Sequence, residues 1–232
     1  MTRARIRDPH AVPVVGTDMH LPALDRIRMD PQALRQRFAV SQPFDPEHPG
    51  DGDVFAADLA RTHASVLVPL VLRDDGPQVL LTRRTDHLRD HAGQISFPGG
   101  RSEPEDGSPE ATALREAQEE VGLDPRRVEI IGHMPVYTTV TGYVVTPVVA
   151  LVHTPFELTL DSFEVAESFE VPMPFLMNPA NHRRHQFDMD GHQRQFLSMP
   201  WRGLGSQGVE REFFIWGATA AMLRNLYRFL AA

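Results

Sequence analysis

A helix delimited from both ends constrains this chain more than any other feature of its sequence. Residues 108–122 read SPEATALREAQEEVG. Ser108 is a preferred N-cap residue, Pro109 suits the first helical position, and Gly122 stands where a left-handed residue closes a C-terminus. The spacing predicts a helix over Pro109 to Val121. At ~100° per residue, Leu114, Ala117 and Val121 share one face, and Glu116, Glu119 and Glu120 share the opposite side. Carboxylates so close repel one another, and the nearest cation is Arg115, four residues before Glu119. A divalent cation would relieve the remainder: magnesium takes oxygen ligands, keeps several waters and sits against substrate phosphates. A solvated acidic face is the other reading, and the helix alone does not separate the two.

The residues around the helix do. Arg115, Glu116, Ala117, Glu119, Glu120, Gly122 and Leu123 fill, in order, the second half of the Nudix box, so this stretch resembles that of the Nudix hydrolase superfamily. The first half departs from it. One residue too many lies between Gly100 and Arg115, and Gly107 holds the position of the expected glutamate, with Glu103, Glu105 and Asp106 close by. The extra residue falls in the loop before the helix and leaves the helical carboxylates in register.

A second pattern lies upstream. Leu80, Leu81, Thr82, Arg84, Arg89, Gly93, Phe97, Pro98, Gly99 and Gly100 match the motif of the coenzyme A pyrophosphatase branch of that superfamily, and Thr85 replaces its usual small residue. That branch is similar to this chain in its longer loop, with an aspartate where Asp106 stands. Physically, Arg84 and Arg89 offer guanidinium forks for phosphates, while Gly93, Gly99 and Gly100 let backbone approach a ligand.

The resemblance implies an α/β fold, the α/β/α sandwich with a mixed β-sheet. It also implies cleavage of the coenzyme A diphosphate into 4′-phosphopantetheine and adenosine 3′,5′-bisphosphate, with Mg²⁺ or Mn²⁺ as cofactor. Glu116 and Glu120 are then the leading metal ligands, Glu119 a third ligand or the group that activates water, and Arg115 the residue that orients Glu119. Arg84, Arg89, Gly93, Gly99 and Gly100 are the substrate-binding set. Other nucleoside diphosphate derivatives (ADP-ribose, NADH, a nucleoside triphosphate) would use the same helix. A noncatalytic nucleotide-binding module ranks lower, because all three box glutamates are present.

Composition narrows the partners. The net charge of -8 argues against nonspecific nucleic-acid binding, which needs a basic face to release counterions. All 23 basic residues are arginine, which suits phosphate recognition but is explained more simply by genomic composition. No run approaches the ~18 apolar residues of a membrane span. The chain has no cysteine, hence no disulfide framework and no thiolate site, which fits a cytoplasmic protein.

Along the chain, residues 1–60 read as an N-terminal arm with one short helix near Pro31 to Phe38, capped by Asp30. The arm packs on the main domain or on a second subunit, the latter making a homodimer. Residues 61–232 read as the hydrolase domain. ASVLVPLVL and QVLLTRR predict a hairpin in which Pro69 asks for a bulge or an edge. VEIIGHM, VVTPVVALV and FEVAESFEVP predict further strands, with TVTG a loop. A hairpin around Asp190-Gly191 follows. In the last helix Ile215, Thr219, Met222, Leu226 and Phe229 or Leu230 recur at helical spacing.

Several features read as decoys. His182, His185 and His192 lack a convergent fourth zinc ligand. Gly203, Gly205 and Gly208 imitate a dinucleotide fingerprint but lack the βαβ unit that gives it meaning. Glu164 and Glu167 could supply a base, and a surface strand carboxylate is the simpler reading.

Overall fold

The computed structural model describes residues 6, 8–40, 42–51, 61–88, 91–189 and 191–232. The arm holds β1 (Val14–Thr17) and α1 (Pro31–Ala39). The body begins with β2 (Thr62–Arg73), β3 (Gly76–Arg84), β4 (Ile95–Ser96), β5 (Gly99–Arg101) and α2 (Pro109–Val121). It continues with β6 (Val128–His133), β7 (Tyr137–Thr138), β8 (Tyr143–Val152), β9 (Val165–Pro172) and α3 (Met173–Leu176). It ends with β10 (Arg183–Met189), β11 (His192–Leu204), β12 (Glu210–Trp216) and α4 (Gly217–Ala231).

The main sheet is mixed, ordered β4-β3-β2-β8-β6, with β5 and β7 extending β2 and β8 and with β9 pairing β3. Its two central strands, β2 and β8, are parallel and nearly continuously apolar because both sheet faces are covered. On one face Leu67, Val71, Leu80, Val148 and Ala150 pack against Ala113, Ala117 and Val121 of α2. On the other, a larger core joins Val68, Leu70, Leu81 and Val149 to a second sheet, β1-β10-β11-β12, and to α4. The fold is thus an α/β sandwich in which one outer layer combines a helix with strands.

Two local expectations are revised. Pro69 lies in the central strand, at neither an edge nor a bulge. On that side β2 passes from β5, which pairs residues 64–66, to β3, which pairs residues 70–73. Leu67 N donates to Pro98 O at 2.8 Å there, so Pro69, two residues on, turns its missing N–H into the gap between partners. Ile215 belongs to β12, because the helix starts only at Gly217. TVTG, residues 139–142, is a loop as expected and follows the short strand β7.

α4 is buried on nearly every side, since the arm covers its outer surface. Arg37 lies over the Phe229 ring at 4.0 Å, and Tyr227 donates to Pro22 O at 2.8 Å. Arg28 caps the helix end by donating to Leu230 O and Ala231 O at 2.8 and 2.9 Å. The expected helix is α1, with Asp30 accepting from Gln32 N, and it rests on β6, where Gly132 leaves room for Phe38. Arg35 also grips Glu129 with two hydrogen bonds of 2.7 Å. Among the described residues no helix is long and apolar enough to cross a membrane.

Candidate active site

α2 forms as its caps dictate. Ser108 Oγ accepts from Ala111 N at 3.2 Å, and Gly122, at φ 68°, donates to Gln118 O at 2.9 Å. The packed face differs from the periodicity reading. Ala113 replaces Leu114 as its first apolar contact, because two alanines let the helix approach β2 closely. That rotation carries Glu120 into the buried face, while Glu119 stays exposed.

Glu120 is 5% exposed. Its Oε2 accepts from Gly99 N at 3.1 Å and its Oε1 stands 3.7 Å from Arg84 NH1. Burial pushes the Glu120 carboxyl up to about 8, since one N–H and a distant guanidinium do not replace its water. Burial raises Glu116 as well, against the Arg115 guanidinium at 2.9 Å. Gly100 makes room for Glu116, because a Cβ there would lie 2.5 Å from its carboxylate.

Arg115 spans the site. NH1 donates to Glu116 at 2.9 Å and to Glu119 at 3.0 Å. Its strongest attachment is one the sequence reading did not assign: Nε and NH2 grip Asp106 at 2.8 and 2.9 Å. Asp106 also accepts from Thr112 Oγ1 at 2.9 Å and from Glu103 N at 2.8 Å. Held mainly by Arg115, its carboxyl stays well below the usual carboxylate range. The long loop therefore returns a carboxylate to the helix as a clamp on Arg115. The sequence signals for this were the extra residue and Asp106.

The remaining site residues scatter. Arg84 meets Glu120, as given above. Gly93, at φ 69°, turns the chain into β4 beside Asp86. Gly99 has no room for a Cβ because the β2 backbone at Ser65 and Val66 lies against it. Arg89 lies outside the described residues. Glu167, read above as a surface carboxylate, is fully buried. His182 and His185 are both occupied, the former by Leu176 O at 2.7 Å and the latter by Val12 O at 2.8 Å and Ser198 Oγ at 2.7 Å. The glycines at 203, 205 and 208 belong to the end of β11 and the turn into β12.

Around α2, Asp106, Glu116, Glu119 and Glu120 face two guanidiniums, Arg84 and Arg115, so carboxylates outnumber cations by two. Among the described residues no three carboxylate or imidazole groups converge as a ready cage. A cation that keeps several of its own waters fits such a partial set of oxygen donors.

The NUDIX domain family model matches residues 61–186. The chain is 40% identical over 168 residues to a protein of Escherichia coli (strain K12) described as an uncharacterized Nudix hydrolase, NudL, covering 72% of this chain and 82% of that one. Its counterpart in Yersinia enterocolitica is 40% identical over 191 residues, covering 82% and 88%. Among solved structures, the Nudix hydrolase RenU from M. smegmatis shares 24% identity with a TM-score of 0.43, over 53% of this chain and 81% of that one. A MutT/nudix family protein from Enterococcus faecalis shares 14% identity with a TM-score of 0.44, over 86% of this chain and 69% of that one.

Fold, site and relatives together define a hydrolase of phosphorus-containing anhydrides. The chain belongs to the Nudix family, and its substrate class is the nucleoside diphosphate derivatives.

Proposed function

We propose that this chain hydrolyses the diphosphate of coenzyme A, or of an acylated or oxidised coenzyme A, using Mg²⁺ or Mn²⁺. One observation carries the reading. Three residues of the stretch that resembles the coenzyme A pyrophosphatase motif meet the same two glutamates that α2 presents. Arg84 and Gly99 N reach Glu120, and Gly100 backs Glu116. The lack of cysteine supports a cytoplasmic setting.

Glu116 and Glu120 would hold the divalent ion. When bound, it supplies positive charge against the diphosphate and lowers the pKa of water. The chain's own residues do the rest. Glu119, exposed and tied to Arg115 at 3.0 Å, would accept the proton of an attacking water or complete the ligand set. Arg115, anchored on Asp106, sets the direction of Glu116 and Glu119. Arg84, loosely held at 3.7 Å, can turn its guanidinium to a phosphate oxygen.

The test incubates the purified protein with coenzyme A, an acyl-coenzyme A, ADP-ribose and NADH, with and without Mg²⁺. Metal-dependent cleavage of the coenzyme A species at the highest kcat/KM supports the reading, and product masses in ¹⁸O-water identify the attacked phosphorus. Preference for ADP-ribose or NADH would replace the substrate but keep the site. No cleavage of any of them would overturn both.

A further inference from the structure

Glu167 is a carboxylate that the metal helix does not explain. It sits on β9 opposite Arg83 of β3 and is fully buried. Arg83 Nε lies 3.7 Å from it, and Arg211 NH1, from β12, lies 3.3 Å from it. These are ion-pair distances without hydrogen bonds. Both Glu167 oxygens and the Nε of each arginine are buried with no hydrogen-bond partner. Nearly all buried polar groups in folded proteins are hydrogen-bonded, so the two unsatisfied Nε donors mark a place that an acceptor completes, while the Glu167 oxygens are met by the charge of the arginines alone.

The surroundings show a built site with an open side. Side chains alternate along β3, so Arg84 meets Glu120 on the α2 face and Arg83 points toward the second sheet. On the inner side Phe169 and Phe213 stack at 3.7 Å and close the core. The turn after β11 closes another side, with Ser206 N donating to Ser168 O at 2.7 Å and Gln207 Nε2 to Ala166 O at 3.0 Å. Gly205 is needed in that turn, because a Cβ there would run into the Glu167 carboxylate. Outward, Arg83 NH1 reaches the exposed Asp86 at 3.4 Å, and the Arg83 and Arg211 side chains keep 21% and 34% exposure. Two guanidiniums therefore run from one buried carboxylate to the surface. Asp86 is exposed and screened by solvent, so the buried group of three keeps a net positive charge.

We propose that Arg83 and Arg211, held in place by Glu167, form a second anion subsite that takes a phosphate monoester, on the face of β3 opposite the acidic helix. The identity of that ligand rests on the coenzyme A reading, since coenzyme A carries a 3′-phosphate besides the diphosphate that is cleaved. Arg83 and Arg84 are consecutive but point to opposite faces at the end of β3, so one nucleotide reaches both only by passing around the strand end, its diphosphate toward Arg84 and its 3′-phosphate toward Arg83. Glu167 is a positioning residue: it fixes the two forks for charge-assisted hydrogen bonds.

The experiment compares coenzyme A with 3′-dephospho-coenzyme A in the wild type, Arg211→Gln and Arg83→Gln. The wild type should favour coenzyme A in kcat/KM by about ten-fold or more, expressed mainly in KM, and either variant should bring the ratio close to one. Equal losses on both substrates, with the ratio kept, would mean a purely structural ion group and overturn the proposal. So would a wild type without preference. If neither substrate is cleaved, the coenzyme A reading fails and a metal-free titration decides the subsite. Adenosine 3′,5′-bisphosphate should then bind the wild type in EDTA and bind Arg211→Gln about ten-fold more weakly, and equal binding would overturn it. Arg211→Lys, which keeps the charge and loses the fork, serves if the glutamine variants do not fold.

Discussion

Two clusters of charge in this molecule use the same side chains for opposite ends. Around α2, four carboxylates face two guanidiniums. Between the arm and α4, Asp18 and Glu47 face Arg184, Arg224 and Arg228. In the second cluster every guanidinium donates to a carboxylate, with one positive charge left over. Arg224, fully buried, donates to Glu47 at 2.9 and 3.2 Å and to His182 Nδ1 at 3.1 Å, and lies 3.0 Å from Asp18. Arg184 binds Asp18 twice, at 2.7 and 3.0 Å. In the first cluster Glu120 keeps one hydrogen bond and a long ion pair. Ion pairs closed by hydrogen bonds hold elements together, whereas a buried carboxylate left short of partners is available to a ligand.

Removing the unfinished charge should cost activity and spare the fold. Glu120→Gln is expected to lower turnover about a thousand-fold, about 4 kcal/mol in barrier. In the metal-free protein its Tm should equal or exceed that of the wild type, because a neutral amide relieves a carboxylate that burial already disfavours. Adding Mg²⁺ or Mn²⁺ should raise the Tm of the wild type and leave that of the variant nearly unmoved. A large drop in metal-free Tm would erase the contrast between the clusters.

Breaking the finished cluster should do the reverse. Arg224→Gln leaves Asp18 and Glu47 short of their buried cation and should cost roughly 3–4 kcal/mol in chemical denaturation. Below the transition, kcat of the remaining folded enzyme should stay within a small factor of wild type. Loss of kcat without loss of stability would place the arm cluster in the catalytic machinery.

A smaller effect appears with pH. Burial lowers His182 from 6.5 to about 4, and the Arg224 guanidinium acts the same way, while Leu176 O, Asp18 and Glu47 oppose it. The folded state therefore holds the neutral ring, with Nε2 donating to Leu176 O and Nδ1 accepting from Arg224. The sign follows from a folded pKa below the unfolded one. This contribution is fully present above the unfolded value of 6.5 and is lost as pH falls from there toward 4. It amounts to something on the order of 3 kcal/mol. Denaturation midpoints measured between pH 7.5 and pH 4.5, a window taken from the ~6.5 reference value for histidine, should show this decline, and His182→Gln should flatten it. An unchanged profile in that variant would assign the acid sensitivity to other groups.

Much of α2 is legible in advance because its determinants are local. Ser108, Pro109 and Gly122 act within one turn of the helix ends, and periodicity places the glutamates. The same local rules mislead where packing decides. They favour Leu114 for the core beside Ala117 and Val121, yet Ala113 takes its place because small residues let the helix settle close to β2, and Glu120 is buried as a result. Glu167 shows the same limit on a strand. Its sequence reads as a surface position, but β12 and the turn at Gly205 come from about forty residues away to cover it.

From sequence alone, then, came the capped helix, its carboxylates and the motif from Leu80 to Gly100, since each depends on residues a few positions apart. Tertiary structure alone decided that Asp106 clamps Arg115, that Pro69 falls in a gap of the central strand, and that residues near 18, 47, 184 and 224 meet in one ion cluster. Those outcomes depend on strand register and on the closure of long loops, and no spacing along the chain encodes either one directly.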